Sequence, residues 1–493
     1  MTAEEEIAQL KKELAAERGE NARLEGELAA ERGENAHLRQ VMEQMLRRLG
    51  EVEGKLAKDS HNSSKPPSSD GLLRKRGRLR KKSEKKPGGQ AGHAGHTLLA
   101  VETPDEVVRH RPVICQHCQQ SLADVAGRVK ERRQVHDLPE MRLRVWEHRV
   151  EEVLCPACGQ PSVGNFPAEV AAPVQYGPNV QALAVYLHQG QLVPMARTCD
   201  LLEEVCGCHL SQGTLLRWVQ EASERLQATV EKIADWLSVG RLQHGDETGV
   251  RIGGKLHWLH VNSTRWLTHL AWHRKRGRQA MDAIGIWPRF GGRAMHDRLS
   301  SYDKYAGAHS LCGAHLLRDC TYLAEQEQQT WAADMADHLL TMHHAAQEWR
   351  LRGASHVPRL ERDEWVTHYF EILESGYAAQ PPPVEAVASK RRGRQKQSAA
   401  KNLLDDLLQR ADQILAFLDD LALPFTNNLA ERDLRMVKVQ QKIAGTFRSD
   451  GGATSFCRIR SYLSTMHKQG HCMLAALAAV FAGEPLPVAW APG

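Results

Sequence analysis

The chain has 493 residues, 25% of them charged and 42% hydrophobic, with a formal net charge of +5, enough for about three or four domains of ~150 residues. No apolar run reaches the ~18 residues that span a bilayer, and Met1-Thr2-Ala3-Glu4-Glu5-Glu6 is neither a basic nor an apolar leader. A cytoplasmic protein without a membrane role is therefore expected. The first segment, 1–58, reads as a coiled coil. Ile7, Leu14, Asn21, Leu28, Asn35, Met42, Leu49 and Leu56 recur every seven residues, with Leu10, Leu24, Leu38, Met45 and Val52 three positions after their partners. Asn at two a positions favours a fixed register and a parallel dimer, so a homo-oligomer of at least two chains is expected, a solvated single helix being the alternative.

From 59 to 100 the composition shifts to Ser, Pro, Gly and Lys/Arg, and 74–82 is a cationic run without an apolar face. Such a segment cannot bury a core and reads as a disordered linker suited to neutralising phosphate. The next domain, 101–166, carries Cys115-Gln116-His117-Cys118 and Cys155-Pro156-Ala157-Cys158. Two C-x2-C turns supply the four thiolates Cys115, Cys118, Cys155 and Cys158 of a structural zinc ribbon. Their spacer exceeds the usual ~15 to 20 residues, and the alternation over 135–153 predicts a hairpin that fills it. His117 reads as a turn residue, and Cys199, Cys206 and Cys208 read as core thiols.

Segment 167–240 is helical in pattern, with Gly207 in a turn between two helix starts. That layout suits a helix-turn-helix whose second helix would bring Arg217 to DNA, plain helix packing being the alternative. Arg241 to Ile252 then alternates as a strand, with Leu242, Asp246, Val250 and Ile252 on one face. Asp246 thus points to the apolar side and needs a cation or a hydrogen-bonding partner, while Glu247 on the opposite face reads as solvated. Runs 256–262 and 266–272 complete a three-stranded meander, followed by a helix over 278–286. Asp297 closes the short run from Gly292 and reads as a strand end opening into a loop, with Asp303 its rival.

Helical stretches over 311–324, 331–350 and 362–374 lead to Pro381-Pro382-Pro383 and a basic run over 390–396. They predict a mostly helical insertion ending in a mobile loop that is either solvated or in contact with DNA. Beyond it, Glu431, Arg435, Lys438 and Lys442 fall at i, i+4, i+7 and i+11, so that one helix face carries an acid and three cations. An ordinary surface ion pair is the competing reading of Glu431 with Arg435.

Gly245-Asp246-Glu247-Thr248, His296-Asp297 leading into Ser301-Tyr302, Cys312-Gly313-Ala314-His315-Leu316-Leu317-Arg318 and Asn427-Asn428-Leu429-Ala430-Glu431-Arg432 resemble motifs of transposases of the insertion sequence 66 family. The resemblance extends to Ser63-Ser64-Lys65-Pro66-Pro67-Ser68-Ser69-Asp70 and Pro87-Gly88-Gly89-Gln90-Ala91-Gly92-His93. Many members have Gly after the second acid, where this chain has Arg298. The resemblance implies a multidomain α/β protein with an RNase H-like catalytic core, its first part over 241–320, the helical insertion over 321–405 and its second part over 406–493. It implies Asp246, Asp297 and Glu431 as catalytic acids holding two Mg²⁺ (or Mn²⁺), beside which the cations Lys438, Arg435 and Lys442 are read as holding the DNA strand. Cys312 and His315 match a C-x2-H pair common in such transposases with helical insertions, with a role left open. The implied activity is cutting the terminal inverted repeats of a bacterial insertion sequence and joining their 3′ hydroxyls to target DNA near the nucleoid, with accessory proteins of the element as further partners. The rivals are a metal-dependent nuclease without strand transfer and a zinc-ribbon DNA-binding repressor descended from a transposase.

Overall fold

The computed structural model describes residues 3–59, 62, 97–305, 307–380 and 397–490. Most of the linker, both N-terminal family motifs, Pro381-Pro382-Pro383 and the basic run over 390–396 lie outside them. The described residues form two units. One comprises 3–59, 62, 293–303, 307–380 and 397–428; the other comprises 97–292, 304–305 and 429–490. Among the described residues, no helix is long and apolar enough to cross a membrane.

The first unit begins with α1 (Ala3–Ala57), a helix of 55 residues, roughly 80 Å long at 1.5 Å per residue. It runs unbroken through Gly19 and Gly33, and the heptad seam is exposed along its length, as at Leu10, Leu28 and Leu49. Its end is tied down: Asn62 Nδ2 donates to the Ala57 carbonyl (3.0 Å), and the Lys58 ammonium lies 4.8 Å from the centre of the Tyr322 ring. The strands β6 (Arg293–His296) and β7 (Ala308–Leu311) pair in parallel, and β7 turns directly into α7 (Gly313–Gln326). The stretches predicted helical over 311–324, 331–350 and 362–374 are α7, α8 (Thr330–Leu351) and α9 (Arg359–Ala378), and two further helices not read from the sequence follow, α10 (Ala399–Gln409) and α11 (Ala411–Asp419). These pack around Trp331, Tyr369 and Leu404, and the Tyr369 hydroxyl donates to the Leu407 carbonyl (2.8 Å), so its burial leaves no unmet donor.

The second unit opens with a short hairpin, β1 (Glu152–Leu154) and β2 (Pro161–Val163), around the second cysteine turn. The alternating residues 135–150 form no strand; they are irregular and almost all exposed, so the pattern marks no buried sheet face and the predicted hairpin is replaced by β1–β2. A helical layer follows: α2 (Pro178–Val185), a π-turn, α3 (Met195–Cys206), α4 (Gln212–Arg225) and α5 (Gln227–Ser238). Cys199 and Cys208 are buried in it as expected of core thiols. The meander is β3 (Leu242–Ile252), β4 (Lys255–Ser263) and β5 (Thr268–His273), antiparallel throughout. It is followed by α6 (Arg278–Ile284) and, at the chain's end, by α12 (Asn428–Ala444), α13 (Asp450–Lys468) and α14 (Met473–Phe481).

Two cores hold this unit. Leu215, Trp218, Ile233, Tyr462, Leu463 and Leu477 join the helical layer to α13 and α14. On the meander, Val250, Ile252, Leu259, Val261 and Leu270 meet Ala430, Leu434 and Val437 of α12 and Phe456 of α13. The free edge of β5 is closed by hydroxyls of α13: the Leu270 amide donates to Ser461 Oγ (2.8 Å) and the Thr268 amide to Thr465 Oγ1 (3.0 Å). A helix thus satisfies edge amides that would otherwise template aggregation.

Candidate active site

Asp246 lies on β3 opposite Val261, on the face that also carries Val250 and Ile252. Half-buried there, it accepts a hydrogen bond from the Glu247 amide (2.8 Å), meeting the need for a partner read from the alternation. Glu247 is not solvated. Its side chain is fully buried and paired with Arg276 (3.0 Å to Nε, 2.9 Å to Nη2), because the opposite face of the meander is covered at this point.

On α12 the buried positions Ala430, Leu434 and Val437 fall at i, i+4 and i+7 and fix the rotation of the helix on the meander. Glu431 and Lys438 each follow a buried position by one residue, so both lie half-buried along the flank of that stripe. Lys438 comes within electrostatic reach of Asp246. Burial pushes its ammonium below the usual lysine value, and the charge of Asp246 offsets part of that shift. Arg435 and Lys442 are exposed on the same helix.

Asp433, two residues from Glu431, faces elsewhere. Its Oδ2 accepts from Lys468 Nζ (2.7 Å), Ser263 Oγ (2.6 Å) and Thr268 Oγ1 (3.0 Å). Lys468 also donates to the Thr264 and Leu267 carbonyls (2.9 and 3.1 Å), and burial lowers its basicity while Asp433 restores part of it. This nearly closed ion pair anchors α12 and α13 to the β4–β5 turn. Sequence reading missed it because its partners are separated by up to 205 residues along the chain.

In the first unit Asp297 follows β6, and its Oδ1 accepts from the Leu299 amide (3.2 Å). The turn is built on Arg298, whose φ of +74° lies in the left-handed region, where Gly is the residue of least cost. Arg298 is held there by ion pairs to Asp319 on α7 and to Asp406 on α10. Asp303, the rival, is engaged by both terminal nitrogens of Arg410 (2.9 and 2.7 Å). His296 is fully buried between His309 (3.1 Å) and the stacked Tyr302 ring, and burial drives its pKa down to about 3, so it is neutral.

The corner at Cys312 is tightly packed. Cys312 Sγ accepts from the Asn427 amide (3.1 Å), the Gly313 amide donates to the Phe425 carbonyl (2.9 Å), and a Cβ on Gly313 would sit 2.3 Å from the Phe425 ring. Only glycine lets the segment leading into α12 approach so closely.

The two cysteine turns are near copies. Cys115 N donates to the Gln120 carbonyl (2.8 Å) and Cys155 N to the Gln160 carbonyl (2.9 Å), while Gln119 and Gly159 take positive φ at the same place in each turn. Backbone amides of Cys118 and His117 hold the Cys115 thiol below its ordinary value, as those of Cys158 and Ala157 do for Cys155. Thiolates favoured on tight turns suit a soft metal ion. In the helical layer, Gly207 ends α3 with φ +66° and Ser211 caps α4 by accepting from the Thr214 amide, which leaves Arg217 exposed on α4.

Over residues 173–455, more than half of the chain, the sequence matches the family described as Transposase IS66 family, a class of DNA-modifying enzymes. The chain belongs to that family. Residues 3–98 match a further family of unknown function. No curated protein matches the chain.

Proposed function

We propose that this chain is a DNA transposase that cuts the ends of a bacterial insertion sequence and joins the 3′ hydroxyls to target DNA, using Asp246, Asp297 and Glu431 as its acids on an RNase H-like core. The observation that carries the reading is the seating of α12 against β3, which sets Lys438 beside Asp246 with Glu431 two helical turns earlier on the same flank. The engagement of Asp303 by Arg410 favours Asp297 as the second acid. The three carboxylates are hard oxygen donors that fit magnesium or manganese. Two such ions, when bound, supply the charge that activates the attacking oxygen and stabilises the leaving one.

The chain's own residues do the rest. The Glu247 amide orients the Asp246 carboxylate, and Lys438 balances its charge and holds the backbone of the DNA end. Arg435 and Lys442 extend that contact along α12, and Arg217 on α4 contacts DNA from the helical layer. Cys115, Cys118, Cys155 and Cys158 would hold one structural zinc, whose four soft ligands leave no position open for water. The exposed seam of α1 supports pairing of two chains in a coiled coil.

The test is carried out on the full chain with duplex element ends. Asp246→Asn, Asp297→Asn and Glu431→Gln should each bind the ends yet lose cleavage and strand transfer by at least 100-fold, an order-of-magnitude expectation for removing a group that acts in the transition state. Cleavage at the wild-type rate by Glu431→Gln removes that residue from the set. Cleavage without any joined product makes the protein a nuclease instead.

A further inference from the structure

Between Glu247 and Asp282 the sequence contains no acid, yet this stretch builds the whole of β4 and β5. Its cations gather at one end of the meander. Arg251 and Lys255 flank the Gly253-Gly254 turn, where both glycines take positive φ, and Arg274 and Lys275 follow β5, whose His273 pairs with Trp258 of β4. The chain reversal therefore brings two pairs of cations from distant sequence to the same edge. All four are exposed, and among the described residues none is paired with a carboxylate.

Between them lies a built platform. The Arg276 guanidinium stacks 5.0 Å from the centre of the Trp258 ring and is held there by the fully buried Glu247 carboxylate. The only acid of α6, Asp282, is occupied by Arg278 (3.4 Å) and by the Tyr305 hydroxyl (3.0 Å). On the other side, the Phe447 amide donates to the Arg251 carbonyl (3.0 Å), which joins this edge to the segment leaving α12 just after Lys442.

We propose that this edge, Arg251, Lys255, Arg274 and Lys275 around the Trp258–Arg276 stack, is a second contact surface for the phosphate backbone of duplex DNA. The inference rests on the transposase reading and adds to the cations of α12 a surface that reading does not include. Asp246 lies five residues down β3 from Arg251, ~17 Å at 3.4 Å per residue, and on the other face from Glu247, Trp258 and Arg251, so the surface would meet DNA that passes round this end of the meander. The surface would hold DNA flanking the cut through phosphate contacts, which fix position without reading sequence.

The experiment is salt-dependent binding of the full chain to a duplex of about 40 base pairs and arbitrary sequence, where each phosphate contact contributes about 0.9 to the slope of log K against log salt. Lys255→Ser/Arg274→Ser/Lys275→Ser should lower the slope by about two to three units. The charge-keeping Lys255→Arg/Arg274→Lys/Lys275→Arg should restore it, which separates lost contact from misfolding. Arg265→Ser, a cation at the opposite end of the meander, should keep the wild-type slope. A wild-type slope in the Ser variant, or an equal loss from Arg265→Ser, overturns the surface while leaving the transposase reading intact. Wild-type protein that binds no duplex at all overturns both.

Discussion

Arg298 carries a cost and a compensation at once. A left-handed conformation costs a residue with a Cβ roughly 1–2 kcal/mol, and the ion pairs to Asp319 and Asp406 hold it in place. The two contributions separate by substitution. Arg298→Ala keeps the strain and loses both pairs, whereas Arg298→Gly loses the pairs and the strain together. The Gly variant should therefore be the more stable of the two by about 1 kcal/mol, read from denaturant midpoints, and a more stable Ala variant would contradict the account of the turn. Neither the positive φ of Arg298 nor its partners were legible in the sequence, because α7 and α10 reach it only through the fold. Glu247 went wrong for the same reason. Alternation sorts residues onto two faces of a strand, but it does not tell a solvated face from a covered one, and Arg276 lies 29 residues away in sequence.

Elements were easier to read where one face is buried. Alternation placed Asp246 on the apolar face of β3 although that strand is buried on both faces over much of its length, and the helices read over 311–324, 331–350 and 362–374 lie within a few residues of α7, α8 and α9. The segment that carries the two cysteine turns obeys no such rule. With hardly any buried side chain over 105–165, its alternation carries no information on pairing, and only the cysteine turns are specific. A segment with so little core would gain its order from the proposed zinc. Cys155→Ser should lower zinc content and the order of this segment together, measured by zinc analysis and by proteolysis within 105–165. A full equivalent of zinc in that variant would remove Cys155 from the ligand set.

At the scale of the whole molecule, a net charge of +5 understates the protein's affinity for polyanions, because the charge is segregated. The meander from 248 to 281 has no acid, α12 presents Arg435, Lys438 and Lys442, and the acids of α12 are either drawn into an ion pair, as Asp433 is by Lys468, or proposed to hold metal. Structural carboxylates are thus closed off by cations while the proposed catalytic ones sit at strand and helix flanks. The most direct test of that division is a crystal structure of the full chain with Mn²⁺, whose anomalous signal locates the ions independently of any assay. The account predicts manganese at Asp246, Asp297 and Glu431, and none at Asp303 or Asp433. Manganese at Asp303 or Asp433, or none at the three acids at a concentration that supports cleavage, would contradict it.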